Sequence, residues 1–259
     1  MLDQFLSWMY SGWLVFPILA IVLLGLSEFG WRVGLARSRS KPEKKRESGS
    51  VPAAVLTLLG LLLGFSFAMA VSRHDTRRQL VVQEANSIGT TRLRARLLPE
   101  PQATNVRQLL HQYVPLRIEA HREAQFSQRF ADVRKSSADF HDRLWNEAVA
   151  AAAKQPTPIT ASFVVSLNET IDYEATRIAA KRNHVPSAVW LLLLCVAGCG
   201  VWLTGWEAGI ARGHPFLARI LFPLLVAVAI ALINDIDTPR GGLITLDERP
   251  LLELNDSLK

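Results

Sequence analysis

Residues 51–98 read VPAAVLTLLGLLLGFSFAMAVSRHDTRRQLVVQEANSIGTTRLRARLL, and this stretch decides the fold. Its first part, Val51–Ser72, holds 22 residues without a charge, which is enough to cross the roughly 30 Å of hydrocarbon in a bilayer. A charged run begins at Arg73, and no proline interrupts the sequence between Pro52 and Pro99. The pattern predicts one helix that leaves the membrane without a break.

Other stretches of the sequence also have the length and apolar character of membrane spans. We predict four spans in all, at residues 1–29, 51–72, 185–206 and 215–234. The last of these contains Arg219, which lies near its start and can extend its charge to the membrane interface. The N-terminal Met-Leu-Asp-Gln has no positive side chain, so we interpret the first span as a retained helix.

The segment between the second and third spans, residues 73–184, is predicted to be a helical domain outside the membrane. Helix breaks are predicted at residues 99–101 and 155–158, with a looser break near Ser127 or Ser136. In the first helix, we expect an inward stripe formed by Leu80, Ile88, Thr91, Ala95 and Leu98. In the last helix, we expect an inward stripe formed by Ile159, Phe163, Leu167, Ile171, Ala175 and Ile178. The predicted fold is therefore all-α, with four transmembrane helices, two plus two, flanking a helical soluble bundle.

The remaining segments are predicted to be connections: a basic loop at residues 30–50, a short loop at 207–214 and a C-terminal tail at 235–259. The 30–50 loop has seven Lys and Arg against two Glu. The positive-inside rule places such a short basic loop in the cytoplasm and the 73–184 domain on the other side. The 73–184 domain also has basic flanks, which favour the opposite orientation.

The overall composition excludes several classes of function. The chain has 259 residues and a formal charge of +6, and its basic residues are dispersed, so we expect no nucleic-acid partner. The sequence has no P-loop, no HExxH, no Gly-x-Ser-x-Gly and no cluster of His and Cys. We therefore expect no enzymatic activity, no catalytic residues, no metal site and no cofactor.

Three stretches together resemble a known family. They are GLLLGFSFAMAVSRHDTRRQLVVQEANSIGT at residues 60–90, LLPEP at 97–101 and NDIDTPRGGLI at 234–244. In combination they resemble the bestrophin-like domain family of bacterial integral membrane proteins. The resemblance implies a distant similarity to bestrophins, which are pentameric anion channels with four spans per subunit and a cytoplasmic soluble part. An acidic calcium-binding cluster of the animal bestrophin kind is missing from this sequence.

The second span contains a candidate pore face. Leu61, Phe65 and Met69 recur at i+4 intervals, and in a channel such a row could form a hydrophobic constriction. The row resembles the apolar neck of bestrophins in spacing and chemistry, and the alternative is a stripe that faces lipid or the protein core. Gly60 and Gly64 form a GxxxG pattern. We interpret it as close packing within one subunit, with a contact between subunits around a pore as the alternative.

Arg73 and Arg77 share one face of the helix that leaves the second span. They are candidate ion contacts that would draw anions to the mouth of a pore, and the alternative is a structural ion pair. Glu84 lies near the same face and on the inward stripe, so we expect it to be buried beside a donor from another helix, most simply an arginine. We further predict that the carboxylates after the fourth span pair with the arginines of residues 73–78. The candidate structural charge cluster consists of Arg78, Glu84, Asn86, Asp235, Asp237 and Arg240.

Two functions from different classes follow. The first is an oligomeric, bestrophin-like anion channel, which implies a homo-oligomer in a bacterial inner membrane with small anions as its cargo. The second is a non-conducting membrane scaffold or sensor whose 73–184 domain binds a partner. Under both hypotheses the lipid bilayer is the surrounding partner.

Overall fold

A computed structural model of the chain describes residues 12–40, 50–123, 127–211, 216–238 and 244–258, and over these residues the chain is helical without a strand. The helices are α1 (Gly12–Ser40), α2 (Ser50–Ala95), α3 (Gln102–Arg122), α4 (Gln128–Lys154), α5 (Pro158–Arg182), α6 (Ser187–Ile210), α7 (Phe222–Asp237) and α8 (Arg249–Ser257). A π-helical turn, Leu217–Leu221, leads into α7. The predicted all-α fold is confirmed.

Among the described residues, four stretches are long and apolar enough to cross a membrane, as predicted: Leu14–Arg39, Ser50–Ala95, Pro158–Ile210 and Leu217–Asp237. The chain divides into two compact units. We call Met1–His74 with His184–Thr245 the membrane unit, and Asp75–Asn183 with Leu246–Lys259 the bundle unit. The division falls inside α2, which is one helix from Ser50 to Ala95, as the unbroken sequence predicts.

Within the membrane unit, α1 and α6 meet backbone to backbone. A Cβ atom on Gly34 would lie 2.1 Å from the carbonyl oxygen of Trp206, and one on Gly205 would lie 2.3 Å from that of Ser27. Distances this short leave no room for any side chain. Glycine therefore allows the short distance between the two helix backbones, as is common for helices that associate in lipid.

Helix α1 is longer than the predicted first span. It continues past residue 29 to Ser40, into the segment where a basic loop was expected. Arg32 pairs with Glu28 one turn earlier at 2.8 Å, and Ser38 Oγ donates to the carbonyl of Ile210 at 3.2 Å. These contacts hold the polar end of the helix in place, and residues 41–49 lie outside the described part of the chain.

Arg219 has a partner within the membrane unit. Its Nη2 lies 2.5 Å from Glu28 Oε2, and its guanidinium lies 3.9 Å from the centre of the Trp31 ring. The carbonyl of Arg219 also accepts a hydrogen bond from Ser27 Oγ at 3.1 Å. The π-helical turn thus joins α1 by a charge pair, a cation–π contact and a hydrogen bond.

The bundle unit is built from α3, α4, α5, α8 and the part of α2 that follows His74. The inward stripe predicted for α2 is confirmed, since Leu80, Ile88, Thr91, Ala95 and Leu98 are all buried. Ser127 caps α4 by accepting a hydrogen bond from Phe130 N, so the looser break lies at Ser127 and Ser136 is inside α4. Thr157 caps α5 in the same way through Thr160 N.

The inward stripe predicted for α5 is wrong at two positions. Ile159 is 52% exposed and Ala175 is also exposed, whereas Thr170, Glu174 and Arg177 are buried. The inward face of α5 is rotated because it carries polar groups that bond to other helices. A pattern of apolar residues cannot reveal such a face.

The predicted C-terminal tail contains a helix. In α8, Leu251 is fully buried in the core of the bundle unit, and Leu258 joins the same core just after the helix ends. Pro250 occupies an early position of the helix, where its missing N–H costs nothing.

Candidate functional site

The second span packs one face and leaves the other open. Leu59 and Ala70 are buried in the cores of the membrane unit, and Ser66 lies on the same side. Leu61 and Phe65 point the other way and are 54% and 64% exposed. Two of the candidate pore residues therefore share an unpacked face of α2.

Over the described residues, the glycines of this span pack against no other helix. Apart from the chain neighbours and the backbone of the same helix, no atom would lie within 4 Å of a Cβ atom placed on Gly60 or Gly64. Within the part of the chain that the structure describes, the interpretation of GxxxG as packing inside a single subunit is therefore wrong. The open face combines these small residues with the large side chains of Leu61 and Phe65.

Met69 and Arg73 are arranged differently. Met69 is half-buried against the core around Ala70, so it does not continue the exposed row of Leu61 and Phe65. Arg73 Nη2 donates to Met69 Sδ at 3.6 Å, and the Arg73 side chain is half-buried.

Arg77 is buried and caps a helix of the bundle unit. Its Nε donates to the carbonyl of Ala180 at 3.2 Å, and its Nη2 donates to the carbonyl of Asn183 at 2.8 Å. These carbonyls lie at the C-terminal end of α5, where a positive charge is favourable. Since only 3% of Arg77 is exposed, its guanidinium serves this helix end.

Glu84 is fully buried and binds two arginines from other helices. Its Oε1 lies 2.8 Å from Arg117 Nε of α3, and its Oε2 pairs with Arg177 Nη1 of α5. The prediction that Glu84 is buried beside an arginine from another helix is confirmed. One carboxylate thus ties α2, α3 and α5 together.

Glu174 extends this network toward α4. Arg117 Nη1 lies 2.8 Å from Glu174 Oε1, while Tyr113 Oη donates to Glu174 Oε2 at 2.9 Å. His141 Nε2 lies 3.0 Å from the same oxygen. Burial alone would raise the pKa of Glu174, but the hydrogen bond from His141 and the charge of Arg117 outweigh it and lower this pKa to about 2. Burial raises the pKa of Tyr113 above its ordinary value.

We call this set the buried charge network; its members are Glu84, Tyr113, Arg117, His121, Ser137, His141, Glu174 and Arg177. Two carboxylates face two guanidinium groups, so the charge of these four groups is balanced. Of these residues, only Glu84 belongs to the charge cluster predicted from the sequence. Arginines and histidines on the inward side of α3 and α5 were the available signal, but a helical pattern of apolar residues gives polar positions no weight.

The carboxylates after the fourth span bind backbone groups of the membrane unit. Asp237 Oδ2 accepts a hydrogen bond from Val185 N at 3.0 Å and lies 3.6 Å from His184 Nδ1. Asp235 Oδ2 accepts from Ile244 N at 3.0 Å. Their pairing with the arginines of residues 73–78 stays a prediction.

The other members of the predicted cluster lie elsewhere. Arg78 and Asn86 are exposed on α2, away from the face that carries Glu84. Arg240 lies outside the described residues. Over the part of the chain that the structure describes, no three His, Cys, Asp or Glu side chains form a group that could hold a metal ion.

Comparison with known proteins gives a consistent family and fold. The family model of the Bestrophin-like domain matches residues 18–251. Among curated proteins, no sequence matches this chain.

Solved structures match over most of the chain. A bacterial Bestrophin homolog from Klebsiella pneumoniae covers 92% of this chain, which in turn covers 95% of that protein, with 14% identity and a TM-score of 0.66. A point variant of that homolog covers 92% of this chain and is itself covered to 99%, with 13% identity and a TM-score of 0.68. A structure described as a membrane protein covers 94% of this chain and is itself covered to 95%, with 13% identity and a TM-score of 0.70. Identities this low show a shared fold.

Proposed function

Because this chain belongs to the family of the Bestrophin-like domain, we propose that it is the subunit of an oligomeric anion channel in a bacterial inner membrane, with the open face of α2 toward the pore. The proposal assigns no catalytic reaction to the chain. It rests on family membership and on one observation, the unpacked face of the second span.

The composition of that face supports contact with further copies of the chain. Gly60 and Gly64 leave open space along α2, and small residues let helices approach closely in lipid. A face that served only as a lipid contact would have no need of glycine, which weakens a helix relative to alanine. Neighbouring copies of the chain would fill this space and place Leu61 and Phe65 around a common axis.

The large side chains on the face support a gate. A ring of Leu61 or Phe65 side chains would be an apolar constriction, and such constrictions close by losing water. Arg73 follows directly where the uncharged stretch ends, and Arg78 is exposed one to two turns later. Their positive charge favours anions over cations at that end of the span. Arg77 has no part in this proposal because it caps α5.

The scaffold or sensor hypothesis has one observation in its favour. Leu93 and Leu97, near the end of α2, are each 62% exposed, and Val149 on α4 is 56% exposed. Apolar side chains exposed on a unit outside the membrane are typical of surfaces that bind a partner. This surface is compatible with a channel, so conduction decides between the two functions.

The experiment combines oligomer mass with chloride flux. The full chain is purified in detergent, its mass is measured by light scattering, and it is reconstituted into liposomes for a flux assay. We expect an oligomer that passes chloride. Phe65→Ala should change the flux severalfold because it removes the largest side chain of the constriction.

Phe29→Ala is the matched control, since Phe29 lies on α1 and is 59% exposed, close to the value for Phe65. We expect this variant to conduct like the wild type. A monomeric protein without flux would overturn the channel proposal. An oligomer without flux would favour the scaffold.

A further inference from the structure

The C-terminal segment, Leu246–Leu258, is fastened to the rest of the bundle unit by several contacts. Leu251 and Leu258 are buried in its core. Arg122 binds Glu248 through two hydrogen bonds of 2.8 Å each, and Arg92 Nη1 donates to the carbonyl of Ser257 at 2.8 Å. The carbonyl oxygen of Leu246, the first residue of the segment, lies 3.3 Å from His121 Nε2.

The protonation state of His121 follows from its neighbours. Arg177 Nη2 lies 2.9 Å from His121 Nδ1, and a guanidinium nitrogen can only donate. Nδ1 is therefore the acceptor and has no proton. The ring proton is on Nε2, where it is donated to the carbonyl of Leu246. In this arrangement His121 is neutral and joins the buried charge network to the C-terminal segment.

A second proton on His121 is incompatible with this arrangement. It would place an N–H on Nδ1 against the N–H of Arg177, with two positive charges in contact. Arg177 cannot release its proton, and its other nitrogen is held by Glu84. The ring would have to turn or shift, and the contact with Leu246 would be lost.

The charged groups in and beside the buried charge network come from three helices and the C-terminal segment. They are Arg117 and Arg122 from α3 itself, Arg177, Lys181 and Glu174 from α5, Glu84 from α2, and Glu248 from the C-terminal segment. Helix α4 contributes two members of the network. Ser137 accepts a hydrogen bond from Arg117, and His141 lies 3.0 Å from Glu174. Glu84, Glu174 and Glu248 are each bound by arginine, so each of these carboxylates already serves a guanidinium group.

We propose that protonation of His121 releases the Leu246–Leu258 segment, so that its docking on the bundle unit depends on pH. The segment is docked while His121 is neutral and loosens as the pH falls and the ring gains a proton. Histidine is the side chain whose charge ordinarily changes between about pH 5 and pH 8, so the test compares the two ends of that range. The inference does not depend on conduction.

Hydrogen exchange on the full chain in detergent tests the proposal. Exchange of peptides from residues 246–258 is measured at about pH 8 and about pH 5, and corrected for the intrinsic effect of pH. We expect exchange in this segment to rise about tenfold or more at the lower pH, while the buried part of α3 changes much less. A segment that exchanges equally at both pH values would overturn the proposal, whatever any variant does.

His121→Gln identifies the group responsible. Its amide can accept from Arg177 and donate to Leu246 without titrating, so the rise in exchange at low pH should disappear. The matched control is His111→Gln, because His111 is exposed on the same helix, and it should keep the full rise. If His121→Gln is folded and keeps the rise, the proposal is wrong.

Glu248→Gln is a second test that leaves His121 in place. It weakens only the exposed contact with Arg122, so the segment should loosen at a higher pH than in the wild type. An unchanged transition, or its complete loss, would contradict the role of His121.

Discussion

The membrane unit and the bundle unit are both helical, but they join their helices by different means. In the membrane unit, α1 and α6 touch at glycine, and a Cβ atom on Gly34 would meet Trp206 O at 2.1 Å. In the bundle unit, α2, α3 and α5 are joined through Glu84, which binds Arg117 and Arg177. Lipid offers no hydrophobic driving force between helices, so close backbone contact replaces it.

The bundle unit can bury these charges only because each has a partner. Removing one member leaves another charge buried and uncompensated, which costs more than the intact pair contributes. We infer that the network fixes which helix faces meet, while the leucines and valines around it supply most of the stabilisation. The comparison predicts that the bundle unit is most sensitive to lost charge and the membrane unit to added volume.

The largest effect is expected from Glu84→Gln. The variant leaves Arg117 and Arg177 buried beside a neutral amide, and the loss of unfolding free energy should be about 3–5 kcal/mol. Thermal or denaturant unfolding of the full chain, followed by circular dichroism, measures it. Glu169→Gln is the matched control because Glu169 is exposed on α5. Equal losses of unfolding free energy in the two variants would show that the ion pairs of Glu84 do not stabilise the bundle unit.

The next effect concerns Glu174 and pH. Its pKa of about 2 lies below the unfolded value, so its carboxylate stabilises the folded state above about pH 4.5, and this contribution is lost as the pH falls toward 2. By the size of the pKa shift, the contribution is about 3 kcal/mol. The stability advantage of the wild type over Glu174→Gln should therefore shrink with falling pH. An advantage that is constant from about pH 7 to pH 3 would contradict the assigned pKa.

A smaller effect is expected from Gly34→Ala in the membrane unit. The added methyl group overlaps Trp206 O, so α1 and α6 must separate, at a cost of about 1–3 kcal/mol. Gly25→Ala provides the control on the same helix, because no described atom outside the adjacent residues and backbone of α1 lies within 4 Å of its Cβ position. That variant should stay within about 0.5 kcal/mol of the wild type in thermal unfolding. A tolerated Gly34→Ala would exclude backbone contact as the basis of this packing.

The smallest of these effects is expected from Thr91→Val. The buried Thr91 Oγ1 donates to the carbonyl of Ser166 at 2.8 Å and lies 2.9 Å from Thr170 Oγ1. Loss of the Thr91 hydroxyl leaves buried polar atoms without one of their partners and should lower the free energy of unfolding by about 1–2 kcal/mol. Thr176→Val is the matched control, since Thr176 is exposed and bonds within its own helix. Indistinguishable denaturant midpoints for Thr91→Val and Thr176→Val would show that this hydrogen bond does not stabilise the fold.

Much of the fold could be predicted from the sequence because apolar length and apolar spacing are local signals. The uncharged run of residues 51–72 and the stripe from Leu80 to Leu98 needed no knowledge of other helices. The inward face of α5 could not be found in this way, because its buried Glu174 and Arg177 have their partners, Arg117 and Glu84, on other helices. Polar burial is a property of the assembled bundle.

The candidate site was predictable to a similar extent. The burial of Glu84 beside an arginine followed from its place on the stripe, but nothing local indicated which arginines bind it. Arg77 was assigned to ion contact from its position at the end of a span. Its capping of α5 depends on where the carbonyls of Ala180 and Asn183 lie, which a linear pattern does not contain.

The most direct test of the channel proposal is cysteine accessibility along α2. Leu61→Cys is made in a chain whose Cys195 and Cys199 are replaced by alanine, and a charged, water-soluble thiol reagent is applied during chloride flux. Leu191→Cys, on the third span and 66% exposed, is the control. We expect the reagent to change the flux through Leu61→Cys and to leave the flux through Leu191→Cys unaffected. Flux through Leu61→Cys that the reagent leaves unchanged, or changes only as it does in Leu191→Cys, would contradict a pore along this face.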